Sequence, residues 1–261
     1  VLPFWPSIGA LGLVQAALVA APRAADWPPL LRLRSNWLAL VLPLSIAVVV
    51  GAIALESATA RFLTYLALIA VPPLAALALG ALVRGARPPL ALLAIPLFAI
   101  AWAAKGSLSG QTAALALSAL ACVSLGWLLA SVVPGRWLKL GIYAMAAIDV
   151  WLVASDLLQG PNATLNAAAP AADLPRLQLA HFGSAVMGFG DLFIAAVLGA
   201  MLARNRRLQL TGAALVAAYA IGFDLLFFAV DELPATAPIA LALATLELSG
   251  RRRNRHPFRA E

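Results

Sequence analysis

The sequence predicts an all-α polytopic membrane protein of about nine transmembrane helices, and three observations carry that expectation. The 261 residues are 63% hydrophobic and only 11% charged, with a mean hydropathy of +0.94, values that a soluble domain with a polar surface does not reach. Apolar runs of near the roughly 20 residues needed to cross a bilayer recur from one end of the chain to the other. The arginines sit in short clusters between those runs, so the net charge of +7 follows the positive-inside pattern and points to lipid, not to nucleic acid.

Taken in order, the runs fall at 4–21, 37–55, 62–83, 88–104, 111–133, 137–158, 179–203, 208–230 and 234–249. Breaks such as Arg87-Pro88-Pro89 and Pro134-Gly135 separate them. The first run has no Lys or Arg before it, which argues for a retained span and not a cleaved signal peptide. Cys122 is the single cysteine and lies inside a span, which leaves neither a disulfide framework nor a thiolate metal site. The longest even loop, Gln159 to Gln178, lies between spans six and seven and reads as a lid, a short interfacial helix or a plain connector. No inverted internal repeat of the transporter kind is evident.

Loops one, three, five and seven hold Arg23, Arg32 and Arg34; Arg84 and Arg87; Arg136 and Lys139; and Arg204, Arg206 and Arg207. The even loops hold only Arg61, Lys105 and Arg176, whereas residues 251–261 form a basic tail with Arg251, Arg252, Arg253, Arg255 and Arg259. The positive-inside rule therefore places the N-terminus outside and the C-terminus in the cytoplasm. The preference for Arg over Lys, together with abundant Ala, suits a GC-rich genome and hence a prokaryotic inner membrane.

Asp149 falls near the middle of span six and Asp191 near the middle of span seven. Counted from the cytoplasmic ends at ~1.5 Å per residue, Asp149 is about 15 Å from Lys139 and Asp191 about 20 Å from Arg204, so the two share a depth. A charged carboxylate at the bilayer centre costs at least ~2.5–3.5 kcal/mol on insertion scales, and such residues face the bundle interior and mark a function. If the side chains meet, repulsion and poor solvation keep both from ionising and the pair shares one proton. That arrangement serves an aspartic protease, in which one carboxylate activates water while its protonated partner polarises a peptide carbonyl.

Gly188 and Gly190 precede Asp191 and leave room for another backbone to approach. Phe189 lies between them. Asp224 in span eight lies about six residues from the outer end and reads either as an interior acid with a supporting or proton-pathway role or as an interfacial residue. Asp156 and His181 read as polar residues near the outer interface. Downstream, Pro234-Ala235-Thr236 opens span nine, where Pro234 and Pro238 imply an irregular segment with carbonyls free to hold an unwound substrate strand.

These residues resemble the presenilin and signal peptide peptidase group of intramembrane aspartyl proteases. That group carries a Tyr-Asp in span six, a Gly-x-Gly-Asp in span seven and a Pro-Ala-Leu at span nine. Here they are Ile148-Asp149, Gly188-Phe189-Gly190-Asp191 and Pro234-Ala235-Thr236. The resemblance covers about Tyr143 to Leu243, and Ile148 and Thr236 depart from it. It implies a presenilin-like bundle with residues 1–133 as a five-helix scaffold and 134–250 as the catalytic part. It further implies catalytic Asp149 and Asp191, substrate contacts from Gly188, Phe189, Gly190, Pro234, Ala235 and Thr236, and supporting positions at Ile148 and Asp224. The substrates would be transmembrane helices or remnant signal peptides, with no cofactor, no metal and no nucleic acid. The predicted orientation is that of the signal peptide peptidase branch.

A proton-coupled carrier or channel using Asp149, Asp191 and Asp224 is the alternative from another class. A non-catalytic homologue that binds helices is another. The prepilin peptidase group also uses Gly-x-Gly-Asp but continues with a basic residue where this chain has Leu192-Phe193-Ile194. Substrate identity and oligomeric state are open at the level of sequence.

Overall fold

The computed structural model describes residues 2–24, 57–157, 174–230 and 232–254, with isolated positions at 38, 44, 160, 163, 164, 167, 168, 170 and 171. The predicted second span and residues 255–261 lie outside the described residues, apart from Leu38 and Leu44. Helices dominate. They are α1 (Phe4–Ala20), α2 (Ser57–Leu77), α3 (Ala94–Ala103), α4 (Leu108–Val132), α5 (Gly135–Ala154), α6 (Phe189–Leu202), α7 (Arg206–Asp224) and α8 (Ala237–Asn254). Helix α2 runs on through a π-helical turn, Ala78–Leu82, and a 3₁₀ turn, Pro88–Leu93, leads into α3.

Among the described residues, four helices are long and apolar enough to cross a membrane: Ala60–Leu82, Leu108–Val132, Gly135–Ala154 and Arg206–Phe228. Four more, Phe4–Ala20, Pro88–Ala103, Phe189–Leu202 and Ala237–Gly250, are apolar but shorter. Large apolar side chains such as Ile69, Ile95, Trp151 and Phe228 stand on the outer surface, the inverse of a water-soluble protein and the arrangement a lipid environment stabilises. The chain is thus a helical membrane protein.

Span seven departs from the expected continuous helix. Residues Leu179–Phe182 and Ala185–Gly188 form an antiparallel hairpin, β1 and β2, with Phe182 opposite Ala185 and Leu179 opposite Gly188. The cause is the two-residue turn at Gly183-Ser184, where Gly183 has φ of +62°, a conformation open to glycine and costly for other residues. The turn is pinned by neighbouring helices: Gln111 Oε1 accepts from the Gly183 N–H at 2.8 Å, and Ser7 Oγ accepts from the Ser184 N–H at 3.2 Å. A side chain at Gly183 would run into Ser7.

Helix α6 is the centre of the bundle. Leu192, Ile194, Ala195, Ala196, Val197 and Leu198 are all fully buried, as expected of a helix that is apolar on every face. Two glycines let its neighbours touch its backbone. At Gly126 of α4 a Cβ would lie 2.7 Å from the Ala196 carbonyl carbon, and at Gly199 of α6 one would lie 2.6 Å from the carbonyl oxygens of Leu18 and Val19 in α1. Close approach at small residues is the usual way that apolar helices gain contact where no hydrophobic drive acts between them.

One end of the bundle is tied by polar groups. The buried amide of Gln209 accepts from Arg84 at 2.7 Å and Arg206 at 2.9 Å, and donates to the carbonyls of Pro22 and Gly199. Arg84 also reaches Ala203 O, and Arg206 reaches Ala20 O. Loops one, three and seven therefore meet at one end, the clustering their arginines imply. The core continues without interruption from helices before residue 133 to those after it.

Candidate active site

Helix α5 presents Asp149 inward because its buried positions, Leu138, Gly141, Ile142, Met145, Ala146, Asp149 and Leu152, recur at the three- and four-residue spacing of one helix face. Asp191 reaches the same place by a different route. It is the third residue of α6, in its first turn, and not mid-helix. The continuous helix expected from the sequence is corrected by the hairpin, which takes up residues 179–188 and delays the start of the helix.

That placement explains how an aspartate is seated within so apolar a stretch. The Asp191 carboxyl reaches back to accept from the N–H of Gly188 at 3.1 Å, the third-position half of a capping box. Gly188 and Gly190 serve this geometry directly. A Cβ at Gly188 would lie 3.0 Å from Asp191 Oδ2, and one at Gly190 would press on the methyl of Met145 at 3.3 Å.

Asp149 and Asp191 line one cavity of about 850 Å³. Helices α1, α2, α5, α6 and α7, the hairpin, and the segment before α8 all contribute to its walls. Gly188, Phe189 and Gly190 border it beside Asp191, and Pro234 and Ala235 border it beside Asp149. Asp224, at the carboxyl end of α7, and Glu232 face the same space. Ile148 is half-buried and stands outside the cavity wall, where Met145 and Val153 flank Asp149 one turn to either side. Asp156 and His181 are exposed.

Thr236 is fully buried and touches the acid itself. Its hydroxyl donates to Asp149 Oδ2 at 2.6 Å, and its N–H donates to the same oxygen at 3.2 Å. The expectation that this segment offers free carbonyls is overturned. Pro234 O accepts from Ala237 N–H, Thr236 O accepts from the N–H groups of Ile239 and Ala240, and Ala235 O accepts from the side chain of Gln15 at 3.0 Å. Helix α8 begins only at Ala237, after Pro234, and the backbone acceptors of Pro234, Ala235 and Thr236 are taken up at once by α8 and α1, as buried polar groups require.

Three contributors have no motif to mark them. Gln15, from the first helix, is 1% exposed and holds Ala235. Gln178 faces the cavity with its amide NH₂ on Ala168 O at 3.1 Å and its buried oxygen without a partner among the described residues. Cys122 sends its thiol towards Phe189 O at 3.8 Å, supporting the start of α6. A polar side chain in an apolar span is the signal that marks Gln15, the argument already applied to the aspartates.

Among the described residues no group of three or more His, Cys, Asp or Glu side chains could hold a metal ion. No family model matches the chain, and no curated protein or solved structure matches it.

Proposed function

We propose that this protein is an intramembrane aspartic endopeptidase that cuts peptide bonds within transmembrane helices, with Asp149 and Asp191 as the catalytic pair. The observation that carries the reading is that two carboxyls on separate helices line one cavity. Two carboxyls that meet in such a cavity share a proton. One takes a proton from water as the water oxygen attacks the scissile carbonyl carbon, and the other gives its proton to the carbonyl oxygen. The tetrahedral diol then collapses: the C–N bond breaks, the nitrogen gains a proton from the first carboxyl, and a diol hydroxyl returns one to the second. The balance closes without a cofactor.

A helical substrate must unwind before its backbone is reachable. The strand β2 runs along the cavity wall and ends at Gly188, three residues before Asp191. Among the described residues only β1 pairs with it, so its other edge suits an extended segment joined by main-chain hydrogen bonds. The same reading includes nine spans, an inner-membrane location with the N-terminus outside, and substrates entering with a cytoplasmic N-terminus.

A second reading keeps the cavity but not the cut. Asp224 and Glu232 share the space with the pair, which suits a proton-coupled carrier. Incubation of the purified protein with a labelled single-span peptide separates the two. Cleavage lost in Asp149→Asn and Asp191→Asn identifies the protease, whereas proton-dependent uptake into proteoliposomes that needs Asp224 as much as Asp191 identifies the carrier.

A further inference from the structure

The resemblance puts a leucine where this chain has Thr236, and the structure places that threonine on a catalytic aspartate. Both donors of Thr236, hydroxyl and N–H, converge on a single oxygen of Asp149, at 2.6 and 3.2 Å. Among the described residues Asp191 has one donor, the Gly188 N–H at 3.1 Å, and the amino end of α6 beside it. A leucine could supply the backbone donor but not the hydroxyl. Donors aimed at a carboxyl oxygen stabilise its negative charge, and a short hydroxyl contact to a buried carboxyl is among the stronger of these.

We propose that Thr236 is a positioning residue that makes the two aspartates unequal: it holds Asp149 as the ionised member, which accepts the proton of water, and leaves the shared proton on Asp191. The inference rests on the endopeptidase reading. In the first step water loses a proton to Asp149 as its oxygen bonds to the carbonyl carbon, and Asp191 protonates the carbonyl oxygen. In the second, Asp149 protonates the departing nitrogen and a diol proton returns to Asp191, which restores the starting state.

The anchoring of Thr236 is itself built into the fold. Gln15 of α1 fixes the preceding carbonyl, and α8 begins at the following residue, so the hydroxyl has little freedom to turn away. Among the described residues, the other titratable groups facing Asp149 across the cavity are Asp191 from α6, Asp224 from α7 and Glu232 from the segment before α8. Helices α1 and α2 present none to the cavity. On α8, Glu247 is paired with Lys139 near the start of α5, ten residues from Asp149 and too far to substitute for Thr236.

The test is a pH–rate profile of cleavage of a labelled single-span peptide by the detergent-purified full chain, for the parent, Thr236→Val and Thr236→Ser. Valine keeps the shape and the N–H but removes the hydroxyl. The expected result is that Thr236→Val lowers kcat at least 10-fold with KM within about twofold, and moves the acidic limb of the profile upward by about one pH unit, while Thr236→Ser restores the parent profile. Should Thr236→Val not purify as folded protein, Thr236→Ala makes the same comparison. An unmoved acidic limb in the hydroxyl-free variant, or a serine variant no better than valine, overturns the inference. Asp149→Asn and Asp191→Asn run alongside: if both still cut, the endopeptidase reading fails, and if both are dead while Thr236→Val keeps the parent profile, only the role of Thr236 fails.

Discussion

Gln15 of the first helix donates its side-chain amide to the carbonyl of Ala235, 220 residues further along the chain, at 3.0 Å. This bond joins the amino-terminal half of the bundle to the segment that carries Thr236, so the site is assembled from both halves. Gln15→Leu keeps much of the volume and removes the donor. The expected outcome is a loss of roughly 1–3 kcal/mol, the cost of leaving a buried carbonyl without a partner, together with slower cleavage as Thr236 loses its hold. Unfolding in detergent and the cleavage rate check the two effects separately.

The glycines divide by what surrounds them. Gly188→Ala puts a methyl against the Asp191 carboxyl, and the expected result is a folded protein whose cleavage rate falls by about 10-fold or more, since small displacements of a reacting group are costly. Gly199→Ala puts a methyl into the backbone of α1 and is expected to lower stability by about 1–3 kcal/mol through overpacking. If Gly188→Ala instead unfolds the protein and leaves the residual folded fraction fully active, the assignment of Gly188 to the aspartate's seat is wrong.

Cys122 is wholly buried and takes no chemical part in the proposed reaction. A maleimide reagent is expected to leave it unlabelled in folded protein and to label it fully after denaturation. Cys122→Ala is expected to retain cleavage within a few-fold, because the 3.8 Å thiol contact it loses is weak. Loss of all activity in that variant would place the thiol in the mechanism.

Lys139 and Glu247 form an ion pair at 2.8 Å, with Tyr143 donating to the other carboxylate oxygen at 3.2 Å. Both partners of the ion pair are partly exposed, so Lys139→Met is expected to change stability by no more than about 1 kcal/mol and to leave the cleavage position unchanged. Denaturant unfolding and product masses are the two readouts.

Much of this was visible in the sequence, and the parts that were not have physical reasons. Apolar length and arginine spacing reveal a helical membrane protein because the bilayer constrains both. The aspartates stand out because carboxyls are rare in such spans. Residues 179–188 look like part of a helix, since an apolar run of that kind has no period of its own to separate strand from helix. The turn at Gly183-Ser184 decides between them, and its stability comes from Gln111 and Ser7, distant in sequence. Pro234 correctly marks a break. The destinations of the backbone groups released there depend on Gln15 and Asp149, which only the folded chain brings near.

The most direct test of the central claim is mass spectrometry of a labelled single-span peptide incubated with purified protein, beside the Asp191→Asn variant. The account predicts paired fragments from a cut inside the span, produced by the parent and reduced at least about 100-fold in the variant. Intact peptide after incubation with folded parent across several span sequences, or equal cutting by Asp191→Asn, would contradict it.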